Sequence, residues 1–149
     1  MGLDVTHFFG TFTPKLDDKG RLFLPAKFRS RLDRGIVLTP GQENCIYGWT
    51  PETFEEFTSR LSGTPFTNQN ARNFFRMLFS GTSEELPDKQ GRITIPPVLR
   101  DWAKLGKDVT VVGALDRIEI WDTQRWATFQ AEQSEPFAQM SEEISPGQF

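Results

Sequence analysis

The sequence contains few of the side chains that usually carry out chemistry. Among 149 residues there is one cysteine, Cys45, and one histidine, His7. A lone cysteine cannot close an internal disulfide, and no set of Cys and His side chains is present to hold zinc. A Cys/His or Ser/His nucleophile is equally hard to assemble, while Asp17, Asp18 and Asp88 stand in turns that explain them. We therefore expect no catalytic residue, no metal and no cofactor, and a small hydrolase is only a third alternative.

Long apolar runs and a leader segment are also missing. No stretch of about eighteen apolar residues occurs, and residues 1–12 have neither a basic n-region nor an apolar h-region. A glycine-rich phosphate loop is absent as well, so no small-molecule substrate is expected. Together with the single cysteine, these absences predict a protein of the reducing cytoplasm with no membrane partner.

Positive charge is in deficit overall but not locally. The net charge of -3 and the pI near 5.2 argue weakly against a nucleic-acid binder, because phosphate neutralisation supplies much of the affinity for DNA. Residues 15–34, however, contain seven basic and three acidic side chains, whereas the chain beyond Gln130 has four Glu and no Lys or Arg. The acidic total thus conceals a basic N-terminal segment and an acidic tail.

An internal repeat is the most informative feature of the sequence. Shifted by 71 residues, 8–11 falls on 79–82 and 17–25 falls on 88–96, and both copies read Asp-x-x-Gly-Arg-apolar-x-apolar-Pro. With one inserted residue the match continues, so that 46–49 falls on 118–121. Agreement in spacing, turn residues and apolar positions indicates a duplication.

Each copy has the same predicted order of elements: strand, turn, returning strand, helix, strand, strand, helix. Such short strands cannot bury their faces alone, so the two β-hairpin/helix units should interleave into one pseudo-twofold α+β body. Between them, Asn68–Phe79 has the apolar spacing of a helix, which more often packs in a core than forms a partner-binding face. Beyond Gln130 periodicity is lost, and 134–149 is expected to be a mobile or docking tail.

These predictions divide the chain into four segments: a first repeat at 9–53, helices and linker at 54–79, a second repeat at 80–125, and a C-terminal helix with an acidic tail at 126–149.

The motifs resemble those of the MraZ family, whose members carry two copies of the swapped-hairpin unit also found in AbrB and SpoVT-type regulators. The resemblance covers roughly residues 8–133 and is carried by Asp17 with Arg21, by Asp88 with Arg92, and by the Ile-Glu-Ile-Trp-Asp ending. Two motif copies together are far more specific than either alone.

The resemblance implies a swapped-hairpin β-barrel core with flanking helices and a ring-like homo-oligomer. It further implies sequence-specific binding of double-stranded DNA at repeated upstream sites. The chain would then be a nucleoid-associated regulator, expected to be a repressor, of a division and cell-wall gene cluster that includes its own gene. In the family the basic residues of the first motif face DNA, which carries over to Lys19 and Arg21 and then to Arg92. The second copy departs from the first at Gln90, which replaces the positive charge of Lys19.

The residues themselves leave their roles open. Arg21 has a fork of donors that could read base edges or clamp a phosphate, or it could form an ion pair with Asp17 that stabilises the hairpin. The same pair recurs as Asp88 and Arg92, so both are expected to be structural as well. The DNA-binding candidates are Arg21, Lys19, Lys15, Lys27, Arg92 and Lys89. The alternative function is a protein-interaction or antitoxin-like scaffold that uses the same fold without reading DNA.

Overall fold

A computed structural model describes residues 7–144 of the chain. The strands are β1 (Thr11–Phe12), β2 (Arg21–Phe23), β3 (Ile36–Pro40), β4 (Ile46–Trp49), β5 (Ser83–Glu85), β6 (Arg92–Thr94), β7 (Val109–Gly113) and β8 (Ile118–Asp122). The helices are α1 (Ala26–Leu32), α2 (Pro51–Leu61), α3 (Gln69–Ser80), α4 (Pro97–Ala103) and α5 (Thr123–Ile144). All strand pairs are antiparallel, and the fold is of the predicted α+β class.

Strand pairing crosses between the two repeats. The first repeat contributes β1 to β4 and the second contributes β5 to β8. β1 pairs with β7, β2 with β6, β5 with β3, and β4 with β8. Every strand of the first repeat therefore has a ladder partner in the second, and the predicted swapped, interleaved arrangement is confirmed.

The pairing is symmetric about an axis that runs between the repeats. Leu22 lies opposite Ile93, its own equivalent 71 residues later. In the same way Tyr47 lies opposite Glu119, its equivalent after the inserted residue. A residue that pairs with its own repeat mate marks a twofold axis, so the body has the expected pseudo-twofold symmetry.

The local hairpin is shorter than the sequence pattern predicts. β1 and β2 do not form a ladder with each other; around their turn only Leu16 bridges to Leu22. The turn is closed by the Asp17 N–H, which donates to the Arg21 carbonyl at 2.9 Å. β1 and β2 instead pair with β7 and β6 of the other repeat. These ladders supply backbone hydrogen bonds that the short hairpin lacks.

Among residues 7–144 the strands do not close into a complete barrel. Six strands form one sheet in the order β1-β7-β8-β4-β3-β5, and β2 and β6 form a separate two-stranded ribbon. No ladder joins β1 to β5 in this described part of the chain, so the larger sheet is open. The ribbon β2–β6 stands apart, with one face turned toward solvent.

A single core lies between the sheet, the ribbon and the helices. Its buried side chains come from both repeats, including Leu22, Leu24 and Phe28 from the first and Ile93 and Ile95 from the second. The equivalent tryptophans are also buried: Trp49 stacks on Phe57 of α2 with ring centroids 4.6 Å apart, and Trp121 packs against Phe129 of α5.

The apolar stripe of α3 is not core, contrary to the sequence-based expectation. The helix begins where predicted, because the Asn68 side chain accepts hydrogen bonds from two backbone N–H groups of its first turn. Only Leu78 is buried, however, while Phe74, Met77 and Phe79 are exposed. The spacing of the apolar residues in α3 predicts burial, but no other part of the described chain covers this face of the helix.

The C-terminal segment is helical for longer than predicted. α5 continues across Pro136 to Ile144, where the sequence indicated an irregular tail from Ser134. A proline inside a helix removes one backbone donor, and the carbonyl left without it belongs to the exposed residue Glu132, where water can satisfy it. The last part of the expected tail, 145–149, lies outside the described residues. Among the helices described, none has the length and apolarity needed to cross a bilayer.

We expect Ile93→Ala to destabilise the protein by about 2 to 4 kcal/mol, because Ile93 is 1% exposed at the centre of the ribbon that joins the repeats. Thr94→Ala, on the exposed face of the same strand, should change the free energy of unfolding by less than about 1 kcal/mol. Urea denaturation followed by circular dichroism measures both. Two separate transitions for the wild type would contradict the interleaved core.

Candidate nucleic-acid interface

The ribbon β2–β6 brings the two repeated motifs side by side. Because side chains alternate along a strand, Leu22 and Ile93 enter the core while their neighbours face outward. The outward positions pair Arg21 with Thr94 and Phe23 with Arg92. One exposed face therefore carries an arginine from each repeat.

The first turn is built around Asp17. Its Oδ1 accepts hydrogen bonds from the N–H groups of Lys19 at 2.9 Å and Arg21 at 2.8 Å, and its Oδ2 accepts from Arg21 Nε at 2.8 Å. Gly20 closes the turn with φ at +76°, a conformation that costs glycine little. One carboxylate thus fixes both the backbone and the side chain of Arg21.

The second turn repeats this geometry. Asp88 Oδ1 accepts from the N–H groups of Gln90 and Arg92, each at 2.9 Å, and Oδ2 accepts from Arg92 Nε at 2.7 Å. Both arginine side chains are therefore held at Nε. In the described part of the chain, no hydrogen bond or ion pair engages their terminal Nη groups, so a fork of donors is available at each turn.

The surroundings of the two arginines differ. Arg92 has its Cζ 5.8 Å from the centroid of the Phe23 ring, a cation–π distance. Arg21 instead faces Thr94, the residue equivalent to Phe23. The first arginine therefore has the less restricted side chain, and the second lies against an aromatic ring that is itself 44% exposed.

The hydrogen bonds at each turn stabilise the charged carboxylate. Backbone donation from Arg21 is the main cause that holds the pKa of Asp17 below its ordinary value, and donation from Arg92 does the same for the pKa of Asp88. The side-chain ion pairs add to this effect, whereas desolvation opposes it. Both turns should therefore be in their stable, ionised form throughout the neutral pH range.

The four candidate lysines occupy different places. Lys19 lies in the first turn and Lys89 in the second, and both are exposed. Lys15 forms an ion pair with Asp108 of the second repeat, Nζ to Oδ1 at 2.7 Å, and this contact lowers the pKa of Asp108. Lys27 is exposed in the first turn of α1, with no side-chain hydrogen bond to the described residues. The structure thus brings the two arginines to one face and distributes the lysines around it.

Sequence reasoning missed Arg100 and assigned Arg29 either to the basic face or to a pair with an acid of a neighbouring subunit. Arg29 of α1 donates from Nε to the carbonyl of Leu24, and Arg100 of α4 donates in the same way to Ile95. The internal repeat could have identified these two arginines as an equivalent pair, because the shift of 71 residues places Arg29 on Arg100.

The candidate nucleophile of a hydrolase is inaccessible. Cys45 is 1% exposed, its Sγ–H donates to the Gln42 carbonyl at 3.3 Å, and burial raises the pKa of its thiol far above the ordinary value. Because the thiolate is the reactive form, this cysteine is chemically inert. A hydrolase could therefore not use Cys45 as its nucleophile.

We expect Asp88→Asn to lower the melting temperature at pH 7, because the amide keeps an acceptor but loses the charge that Arg92 neutralises. A carboxyl group whose pKa is lowered on folding stabilises the protein at pH values above its unfolded-state pKa. This stabilisation is lost as the pH falls through its folded-state pKa. The gap between wild type and variant should therefore close below pH 3.8, the ordinary aspartate pKa. Thermal unfolding from pH 7 to pH 2 measures this, with Asp18→Asn, a change at an exposed aspartate of the first turn, as control. A gap of constant size across that range would contradict the assignment.

Comparison with known proteins bears on the whole chain. The sequence model of one family, described as "MraZ protein, putative antitoxin-like", matches residues 7–77 and again 78–145. The chain is 49% identical to the protein named Transcriptional regulator MraZ from Micrococcus luteus over 142 residues, which cover 95% of this chain and 99% of the relative. It is 51% identical to the protein of the same name from Parafrankia over 140 residues, which cover 94% of this chain and 98% of that relative.

A third relative with this name, from Thermobifida fusca, is 49% identical over 140 residues, again 94% of this chain and 98% of its own length. The duplicated family match, the near-complete coverage and the two interleaved Asp-x-x-Gly-Arg turns agree with one another. This chain belongs to the MraZ family.

Proposed function

We propose that this protein is a transcriptional regulator that binds double-stranded DNA through the exposed face of the β2–β6 ribbon. The observation that carries the proposal is the pair of arginines, Arg21 and Arg92, each held at Nε by an aspartate with its Nη donors unengaged by the described residues. The relatives' shared name, transcriptional regulator, supports it. A two-stranded ribbon has the width to enter the major groove of B-form DNA.

Arginine and lysine have separate roles in this proposal. A preorganised guanidinium can donate two parallel hydrogen bonds to a base edge or a phosphate, so Arg21, with the freer side chain, is the main reading residue and Arg92 the second. Lys19 and Lys89 in the turns contact flanking phosphates. Lys15 and Lys27 extend the phosphate contacts on either side of the first turn.

Self-association multiplies these few contacts. α3 and α5 expose large apolar side chains, among them Phe74, Met77 and Phe137. We infer that copies of the chain cover these surfaces in a ring-like homo-oligomer, which places several ribbons on repeated DNA sites at once. Simultaneous engagement of linked sites raises affinity without any new contact.

The genomic target in this proposal follows the family resemblance. We infer that the repeated sites lie upstream of a division and cell-wall gene cluster that includes the regulator's own gene, and that binding there represses transcription. A regulator acting in this way is associated with the nucleoid.

A second candidate function is a protein-interaction or antitoxin-like scaffold. The observation in its favour is the same exposed apolar surface on α3 and α5, which a different protein could cover. The two functions differ in what Arg21→Ala does: a scaffold keeps its partner, whereas a DNA regulator loses affinity for DNA.

We expect Arg21→Ala to weaken DNA binding by about 1 to 3 kcal/mol per contact, because it removes a preorganised donor fork. Fluorescence anisotropy with the DNA upstream of the protein's own gene, at two salt concentrations, measures the effect. Arg60→Ala, a change at an exposed arginine in the last turn of α2, is the matched control and should bind as the wild type does. Wild-type affinity should fall steeply with salt, and a flat salt response would rule out phosphate contacts.

We expect light scattering after size exclusion to give the mass of an oligomer, which is several times the 17.1 kDa of one chain. Phe137→Glu should shift the distribution toward smaller species, because it places a charge on an exposed apolar position of α5. DNA with several repeated sites should bind more tightly than DNA with one site, by a factor that Phe137→Glu reduces. A strictly monomeric wild type would contradict the ring-like assembly.

A further inference from the structure

Two arginines outside the proposed DNA contacts lie against the turns of the opposite repeat. Arg100 is in α4 of the second repeat, yet a Cβ placed on Gly20 of the first turn would lie 2.9 Å from its Cζ. Arg29 is in α1 of the first repeat, and a Cβ on Gly91 of the second turn would lie 2.7 Å from its Nε. Each guanidinium group therefore occupies the space directly over a turn glycine.

Backbone hydrogen bonds complete the same contact. The Ile95 N–H donates to the Gly20 carbonyl at 2.8 Å, and the Ile95 carbonyl accepts from Arg100 Nε at 3.0 Å. Ile95 thus links Arg100 to the turn that Arg100 covers.

The other half of the molecule repeats this arrangement. The Leu24 N–H donates to the Gly91 carbonyl at 2.9 Å, and the Leu24 carbonyl accepts from Arg29 Nε at 2.9 Å. The contact therefore occurs twice, related by the pseudo-twofold axis, and in each case it joins a helix of one repeat to the turn of the other.

We propose that Arg100 and Arg29 are positioning residues, each of which sets the turn of the opposite repeat for DNA binding. Arg100 holds the turn that presents Lys19 and Arg21, and Arg29 holds the turn that presents Lys89 and Arg92. The inference rests on the proposed DNA-binding function of these turns. Its consequence is that each DNA-reading turn is completed by a residue far away in the sequence.

The chemistry favours positioning over an ion pair. Neither Arg29 nor Arg100 forms a salt bridge to an acidic side chain within residues 7–144. A planar guanidinium can donate from Nε to a carbonyl while its flat face covers a glycine. A lysine keeps the charge but has no such plane and no fixed donor geometry.

Arg100→Lys and Arg29→Lys therefore form a matched pair of variants. Amide hydrogen exchange by NMR should show that Arg100→Lys accelerates exchange at Lys19 and Arg21 about threefold or more and leaves Gln90 and Arg92 unchanged. Arg29→Lys should do the reverse. Exchange that rises equally in both turns, or in the turn of the substituted arginine's own repeat, would overturn the proposal.

Double-mutant cycles in DNA binding provide the functional test. Arg100→Lys combined with Arg21→Ala should depart from additivity in Kd by about threefold or more, whereas Arg100→Lys with Arg92→Ala should be additive. Arg29→Lys should couple to Arg92→Ala and not to Arg21→Ala, although Arg29 is close to Arg21 in sequence. Because both lysine variants keep their charge, the salt dependence of binding should stay as in the wild type.

The outcomes separate this inference from the proposed function. Coupling within one repeat, or additivity in all four cycles, overturns the positioning role while DNA binding stands. A wild type that ignores DNA overturns the proposed function, and the exchange measurements then still decide whether each arginine holds the opposite turn. All variants are compared after circular dichroism and a single cooperative melting transition have shown that they are folded.

Discussion

The strand pairing between the repeats is the interaction on which the rest of the structure depends. β1 has two residues and β2, β5 and β6 have three each, so a single repeat would leave most of their backbone donors and acceptors unpaired. Pairing with the other repeat satisfies these groups and joins the two sets of apolar side chains in one core. Each repeat is therefore incomplete without its partner, although each turn is held by hydrogen bonds of its own aspartate.

Because both copies are in one chain, their sequences can differ, so the two strands of the ribbon need not be identical. Equivalent positions of the two repeats differ in chemistry: Phe23 corresponds to Thr94, and Lys19 corresponds to Gln90. The two arginines keep the same aspartate contact, but only Arg92 lies against an aromatic ring. One chain thus presents two unlike donor forks on a shared scaffold.

The sequence predicts the local structure well because turn chemistry and periodicity are local. The Asp-x-x-Gly-Arg motif requires the same turn twice, and the shift of 71 residues follows from comparing the chain with itself. The swapped pairing came from the family resemblance and from the need of short strands for partners. Besides the missing β1–β2 ladder, three features escaped prediction: the placement of Arg100 over Gly20, the exposed stripe of α3, and the extension of α5 across Pro136. The first depends on a contact between distant residues, and the second depends on tertiary packing, which apolar spacing along one helix does not reveal. The third is an exception to the rule that a proline ends a helix. The exposed helix α5 continues past Pro136 and loses one backbone hydrogen bond.

The acidic net charge is compatible with DNA binding because electrostatic attraction depends on where the charges lie. Interactions between exposed charges are largely screened beyond about 8 Å at physiological ionic strength. At the ribbon, Asp17 and Asp88 are already engaged with Arg21 and Arg92, and their hydrogen bonds orient the guanidinium groups. These two acidic residues of the proposed interface therefore position its donors, and each is neutralised by the arginine that it holds.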